Sequence, residues 1–314
     1  DKIGYPPLVL SSPGLVGGEV VINLEQSSQY LSGLLLAAPL AKAPTVIRIV
    51  GKSVASWPYV ALTLDSMARC GVPVRLERRI LDDWHPCAHA EAVGVPPTDI
   101  RLIVAPAPYR SGNMRVESDW SNASYFLAAG AVGKAPVRIS GLSRDSAQGD
   151  KHMLDILTRM GATIEWDNDA VTVFPSRLRG IEVNMNACPD IVPTVATLAA
   201  FARGETIISG AAHLTLKECD RIQGPVTELA KAGVHIVARP DGMLIRGSTT
   251  PTPRAVHLLT HGDHRMAMSL ALLELGECAV HLDNPGCVAK SFPTFWDAWN
   301  MIRLGNGLEA RHDA

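Results

Sequence analysis

The chain has 314 residues, 47% of them hydrophobic and 19% charged, with 29 Lys+Arg against 31 Asp+Glu and a formal net charge of −2. This is enough apolar material to bury the cores of about two domains, which excludes a disordered chain. The near-neutral balance excludes a global field for nucleic acid or an anionic membrane. The longest apolar stretches, residues 31–41 and 269–275, are interrupted by Pro39 or Glu274, short of the roughly 18 residues a membrane span needs. Six scattered cysteines (Cys70, Cys87, Cys188, Cys219, Cys278, Cys287) form no Cys-x-x-Cys pair and read as reduced and mostly buried, in a cytoplasmic setting. The chain opens on Asp1 without a Met, and no helix or strand start precedes Tyr5-Pro6-Pro7, so the true beginning is expected to be missing.

In chain order, the same sequence of elements is predicted repeatedly. A β-rich run (19–24, 114–117, 181–185, 255–260) leads into a polar cluster. The four clusters are Ser27-Ser28-Gln29, Ser121-Asn122, Pro189-Asp190 and Asp263-His264-Arg265, and each opens a small-residue apolar helix. A second β run follows (45–51, 136–141, 205–210, 278–284). The spacings agree: Gln29 to Gly51 is 22 residues, Asn122 to Gly141 is 19, Asp190 to Gly210 is 20 and His264 to Asn284 is 20. A second, amphipathic helix comes next (59–70, 151–160, 220–232, 293–303). Three of these end at Gly71, Gly161 and Gly233, placed to supply the left-handed turn that closes a helix. Two units finish with hairpin patterns, 162–166 turning at Asp167-Asn168-Asp169 into 171–174, and 234–238 turning at Pro240-Asp241-Gly242 into 243–246.

The unit is therefore β-α-β-α-β-β, with its two leading strands parallel and joined by a right-handed crossover. Four units fit, the fourth cut short after its second helix. A seam is expected within 82–113, where Pro86, Pro96, Pro97, Pro106 and Pro108 interrupt the pattern, giving domains 1–113 and 114–314. The plainer alternative is a generic α/β sheet, but matched spacings place the same two polar loops in every unit.

Those loops carry the chemistry. Helix starts offer free N–H groups, so Ser27-Ser28-Gln29 suits a phosphate or carboxylate, against simple N-capping. In Lys217-Glu218-Cys219-Asp220-Arg221, Lys217 and Arg221 stand at i and i+4 on one predicted helix face, against the preference of the helix dipole, or else belong to a solvated charged face. Arg265 offers a bidentate fork, and Lys290 beside Ser291-Phe292-Pro293 a point charge. Asp190 either caps a helix or accepts hydrogen bonds and a proton from a substrate hydroxyl. His261, Asp263 and His264, like His85, Cys87 and His89, lack the spacing of a convincing metal set. Four cations (Lys217, Arg221, Arg265, Lys290) with two acids (Asp190, Glu218) imply small, multiply anionic substrates. No phosphate loop or dinucleotide fingerprint is present, so neither ATP nor a dinucleotide is expected.

Seven motifs stand in register along the chain: Ser27-Ser28-Gln29-Tyr30, Ser56-Trp57-Pro58-Tyr59, Ser121-Asn122-Ala123-Ser124-Tyr125-Phe126-Leu127, Pro189-Asp190, Lys217-Glu218-Cys219-Asp220-Arg221, Asp263-His264-Arg265-Met266-Ala267-Met268 and Lys290-Ser291-Phe292-Pro293. Together they resemble the 5-enolpyruvylshikimate-3-phosphate synthases (3-phosphoshikimate 1-carboxyvinyltransferases). The resemblance implies two lobes of three β-α-β-α-β-β units each, four of the six being present here. Residues 1–113 would be mainly the third unit of the N-terminal lobe, and 114–314 the C-terminal lobe. It implies transfer of the enolpyruvyl group of phosphoenolpyruvate to the 5-hydroxyl of shikimate 3-phosphate, with release of phosphate, on the way to chorismate and the aromatic amino acids. No metal or organic cofactor is implied, nor nucleic acid or membrane, and a monomer is implied when the protein is complete.

By the same resemblance, Ser27, Ser28 and Ser56, with Tyr59 beside them, hold the shikimate phosphate, and Gln29 lies between the two substrates. Asp190 and Lys217 bind the shikimate hydroxyls, Asp190 taking the 5-hydroxyl proton. Arg221, Arg265 and Lys290 neutralise phosphoenolpyruvate. Glu218, with His264 nearby, moves the proton of the methylene carbon, and Lys290 is counted with the catalytic set. His213 stands where the family carries an amide contact to the shikimate ring. The family's opening Lys-Ser motif and Gly-Thr loop are absent, so the chain alone is expected to be inactive. Two further readings stay open: a UDP-N-acetylglucosamine enolpyruvyl transferase, whose reactive-Cys loop is not visible, and an inactive binding fragment.

Overall fold

The computed structural model describes residues 7–54, 56–168, 170–247 and 255–305. Residues 1–6, on which the expectation of a missing start turns, and Asp169 of the first predicted hairpin turn lie outside the described residues. The chain divides into two compact units, residues 1–114 and 115–314. Among the described residues, no helix is long and apolar enough to cross a membrane.

In the first unit, strand β1 (Gly18–Asn23) runs parallel to β2 (Thr45–Val50), joined by helix α1 (Gln29–Ala37). Helix α2 (Trp57–Arg69) packs against α1, and strands β3 (Arg75–Ile80), β4 (Asp83–Pro86) and β5 (Ile100–Val104) complete a sheet of order β1-β2-β5-β3-β4. The stretch 82–113, expected to be a seam, thus contains two strands of this sheet. Ile100, Leu102 and Val104 alternate inward and join Leu24, Leu31, Leu35, Ile47, Ile49 and Val60 in one core, because a period of two presents every second side chain to the same face.

The second unit begins with helix α3 (Trp120–Val132), then β6 (Val137–Ser140), α4 (Met153–Met160), β7 (Thr163–Asp167) and β8 (Ala170–Phe174). The leading strand expected at 114–117 is not formed. A single backbone bond, Ser118 N–H to the Gly141 carbonyl (3.4 Å), joins this segment to the end of β6, and the Glu117 carboxylate is held by Ser146 and Gln148. One bond does not make a ladder, so the sheet is the antiparallel β6-β8-β7 alone.

The remaining elements follow the expected order. Strand β9 (Glu182–Asn184), helix α5 (Val192–Ala199), strand β10 (Gly204–Ser209), helix α6 (Gln223–Lys231) and the hairpin β11 (His235–Arg239) and β12 (Gly242–Gly247) form a sheet of order β11-β12-β10-β9. Strand β13 (Ala255–Leu258), helix α7 (His264–Leu270), strand β14 (Ala279–Leu282) and helix α8 (Phe295–Gly305) follow, with β13 and β14 parallel in a two-stranded sheet.

Helices α3, α5 and α7 are buried nearly all round, as helices without a polar face must be. Their small side chains let the backbones approach. Their hydroxyls satisfy one another across the helices, Ser124 Oγ to Thr194 Oγ1 (3.3 Å) and Thr194 Oγ1 to Ser269 Oγ (3.2 Å), instead of being stranded in the core. Gly71, Gly161 and Gly233 all take positive φ (80°, 97°, 81°). In each case the next residue bonds back five positions: Val72 to Met67, Ala162 to Leu157 and Val234 to Leu229.

Candidate active site

In the first unit, Ser27 Oγ accepts the Gln29 N–H (3.1 Å), so Ser27 closes the turn into α1. Ser28 is buried and makes no side-chain cap bond, leaving its hydroxyl outside the plain capping role. Ser56, at the start of α2, is a buried non-glycine residue in the left-handed region (φ 58°). The Ser32–Thr63 hydroxyl bond (2.8 Å) ties α1 to α2, so Ser27, Ser28 and Gln29 on one helix and Ser56 and Tyr59 on the other are held by packed elements.

In the second unit the loop 217–221 does not continue a helix. Asp220 Oδ1 accepts both the Ile222 and the Gln223 N–H (2.9 Å each), capping α6, which therefore starts at Gln223 and not at 220. Lys217 has an extended backbone. The expected i,i+4 face for Lys217 and Arg221 is corrected accordingly, and the conflict with the helix dipole disappears because both cations precede the helix. Arg221 is pinned instead by its N–H to the Leu214 carbonyl (3.2 Å) and turned inward, 1% exposed.

Three carboxylates converge on that buried guanidinium. Asp263 Oδ2 takes Nε (2.8 Å), Asp190 Oδ1 takes Nη1 (3.0 Å) and Glu218 Oε2 takes Nη2 (2.8 Å). Asp263 also caps α7 through the Arg265 N–H (2.8 Å). The loop carrying it turns through His261 and Gly262, both at positive φ, and buried Glu228 on α6 holds it by accepting the Leu259 N–H (2.8 Å) and contacting His261 Nε2 (3.1 Å). Arg265 Nη2 reaches the other oxygen of Asp190 (3.0 Å), and the Lys290 ammonium donates to Glu218 Oε1. Asp190 accepts from two guanidinium groups and does not cap its helix; it sits in the tight turn Pro189–Ile191.

The electrostatics follow from this lattice. Burial opposes the Arg221 charge, but the hydrogen bonds and charge of Asp263, with the charge of Asp190, strengthen its hold on the proton. Burial likewise pulls the Glu218 carboxyl up. The Lys290 hydrogen bond, its own backbone N–H and the Arg221 and Lys290 charges outweigh this and bring it down to about 2. Burial and the Arg265 charge lower His264, which lies 3.6 Å from Asp263 through Nδ1. Burial and the Lys217 charge lower His213, so both imidazoles give up a proton more readily than an ordinary histidine.

The second unit thus brings Asp190, Glu218, Arg221, Arg265 and Lys290 into one ion-pair lattice. His264 lies behind it through Asp263, and Lys217 and His213 lie on the segment leading into it. Three cations, Arg221, Arg265 and Lys290, face three carboxylates, Asp190, Glu218 and Asp263, so an arriving dianion would compete with the carboxylates for the same cations. Asp263 as the anchor of Arg221 was not foreseen as a site residue. Its place before His264-Arg265 at a helix start was the available signal. Among the described residues, no group of three or more His, Cys, Asp or Glu is placed to hold a metal ion.

The family model for EPSP synthase (3-phosphoshikimate 1-carboxyvinyltransferase) matches residues 1–85 and 88–299. A 3-phosphoshikimate 1-carboxyvinyltransferase of Syntrophobacter fumaroxidans is 41% identical over 301 residues, covering 96% of this chain and 66% of that protein. One of Shewanella amazonensis is 40% identical over 296 residues, covering 94% and 64%. The 2.37 Å structure of EPSP synthase from Acinetobacter baumannii superposes with a TM-score of 0.69 at 25% identity, covering 94% of this chain and 63% of that one. The chain therefore spans slightly less than two thirds of the length of these relatives. With matches along almost its whole length, the chain belongs to the EPSP synthase family, the 3-phosphoshikimate 1-carboxyvinyltransferases.

Proposed function

We propose that this chain carries a large part of the site that transfers the enolpyruvyl group of phosphoenolpyruvate to the 5-hydroxyl of shikimate 3-phosphate, releasing phosphate. The observation that carries this reading is the lattice on Arg221, in which Arg221, Arg265 and Lys290 are held ready by Asp190, Glu218 and Asp263. Ser27, Ser28, Ser56 and Tyr59 hold the shikimate phosphate, and Gln29 contacts both substrates. Lys217, His213 and Asp190 take the shikimate ring. The phosphate and carboxylate of phosphoenolpyruvate replace carboxylate oxygens on Arg221, Arg265 and Lys290.

That exchange has a chemical consequence. Glu218 at about 2 is too strong an acid to hold a proton near neutrality, and the Lys290 and Arg221 contacts keep it so. When the donor's anionic groups take those cations, Glu218 loses what lowers it and regains proton affinity, so it becomes able to protonate the methylene carbon. Asp190, released from Arg265, accepts the hydroxyl proton as the C–O bond forms at the adjacent carbon. Glu218, now a carboxylate, then takes back a methyl proton as the C–O bond to phosphate breaks, which releases phosphate and leaves the enol ether on the shikimate 5-oxygen. His264, beside Asp263, assists the proton movement at Glu218. The reading needs no metal or organic cofactor and places the whole protein in the cytoplasm as a monomer.

Calorimetric titration tests it: saturable binding of shikimate 3-phosphate, and none of UDP-N-acetylglucosamine, is expected. The reverse preference would favour the sister transferase, and binding of neither would overturn the reading for this chain. Turnover is not expected of this chain alone.

A further inference from the structure

Asp150 is a carboxyl group that the proposed reaction leaves unused. It lies in the tight turn Gly149–His152 before α4, 2% exposed. One oxygen is hydrogen-bonded to the Ser121 hydroxyl in the first turn of α3. The other, Oδ1, is buried with no hydrogen-bond partner among the described residues. The turn packs on α3, on α4 and on the turn Pro189–Ile191 that carries Asp190. From α3's cap it faces Asp119, from the third of these elements Asp190, and from α7 Arg265. The buried Cys188 thiol also feels its charge, together with that of Asp155 on α4. On its own turn, Lys151 is drawn away to the Arg144 carbonyl and His152 to Asp155 (3.1 Å).

Ionised, Asp150 would be a buried anion with an unsatisfied oxygen, facing two further carboxylates, while Arg265, the cation that acts on it, is held by Asp190. A buried charge with so little compensation is unfavourable, and protonation removes it. We propose that Asp150 is held as a neutral carboxylic acid behind Asp190, a positioning residue whose proton leaves Arg265 to Asp190 before substrate arrives and leaves Asp190 as a lone carboxylate once Arg265 turns to the donor. Burial, and next the Asp190 charge, raise this carboxyl to about 7, in keeping with that assignment. Were Asp150 to lose its proton, two carboxylates would compete for Arg265, and Asp190 would no longer be set apart as the base. The assignment rests on the proposed function only in giving Asp190 that role.

The test is a pH titration of the 314-residue chain labelled with 13C at the aspartate carboxyl groups, with Asp150 assigned by through-bond correlation so that no variant is needed to identify it. Asp150 is expected to titrate near neutrality, and in Asp190→Asn its midpoint is expected to fall toward the ordinary carboxylate range. In Ser121→Ala, which removes a hydrogen bond to the charged form, the midpoint is expected to rise. An Asp150 midpoint in the ordinary carboxylate range overturns the proposal, and so does a midpoint unmoved by Asp190→Asn, since burial alone would then account for it. A merely structural carboxyl would not follow the charge of Asp190. Titration of the same sample with shikimate 3-phosphate separates the two readings: a coupled Asp150 with no binding overturns the functional reading and leaves Asp150 as assigned.

Discussion

Arg221 is the residue on which the second unit's site depends. A guanidinium taken out of water loses hydration that only good geometry restores, and here Asp263, Asp190 and Glu218 supply it at 2.8–3.0 Å. Removing it strands the buried Asp263 carboxylate and deprives the other two. Arg221→Ala is therefore expected to destabilise the fold by about 3–5 kcal/mol, read from urea unfolding. A loss no larger than that of a surface substitution would show that the lattice adds nothing to stability.

Glu218 makes a prediction of opposite experimental sign. Its folded pKa, about 2, lies below the ordinary 4.5, so the unfolded chain takes up the proton first. Its contribution is present above 4.5 and is lost as the pH falls through about 2. Acid unfolding curves should show a shallower decline between those limits in Glu218→Gln than in the parent chain. Lys217, Arg221, Arg265 and Lys290 were legible in the sequence as cations gathered by the loops. Which carboxylates Arg221, Arg265 and Lys290 pair with was not, because Arg221 and Asp263 lie 42 residues apart and Lys290 and Glu218 lie 72 apart.

At the scale of elements, the turns that close α2, α4 and α6 were read correctly from single glycines, because a left-handed residue after a helix is a local requirement. The strength of that requirement differs between sites. At Gly161 an added Cβ would stand 3.6 Å from the Arg177 carbonyl oxygen, so only the φ of 97° opposes it. At Gly210 the Cβ would stand 2.3 Å from Asn184 Oδ1, which accepts the Asn186 N–H (3.0 Å) and cannot withdraw without breaking that bond. Gly161→Ala is expected to cost about 1 kcal/mol by thermal unfolding. Gly210→Ala should cost clearly more, and equal losses would mean that Asn184 adapts freely.

The elements misread have physical causes of their own. The run 114–117 has strand composition but no neighbour to complete a ladder, and the start of α6 was displaced by the Asp220 cap, which competes with helix extension. Strand β5 was hidden because prolines on both sides of it read as interruption.

At the scale of the molecule, the two units have separate cores, one around Leu31, Ile47 and Leu102 and the other around Trp120, Val195 and Leu272. The segment between β5 and α3 is irregular and largely exposed and includes Arg110 and Arg115. Brief trypsin treatment under native conditions is expected to cut there first, giving two resistant fragments that each melt cooperatively. Early cleavage inside a sheet of either unit would contradict that division.

The sequence by itself determined the alternation of strands and helices, the repeat, the family and the identities of the candidate residues, because these depend on periodicity, local turn chemistry and residue type. Only the tertiary structure decided that Arg221 faces inward and not along a helix, that Asp263 anchors it, and that Asp150 lies buried behind Asp190 with one oxygen unsatisfied. Burial and ion pairing depend on which distant segments meet, and the free energy of a charge is set by that meeting and not by its neighbours along the chain.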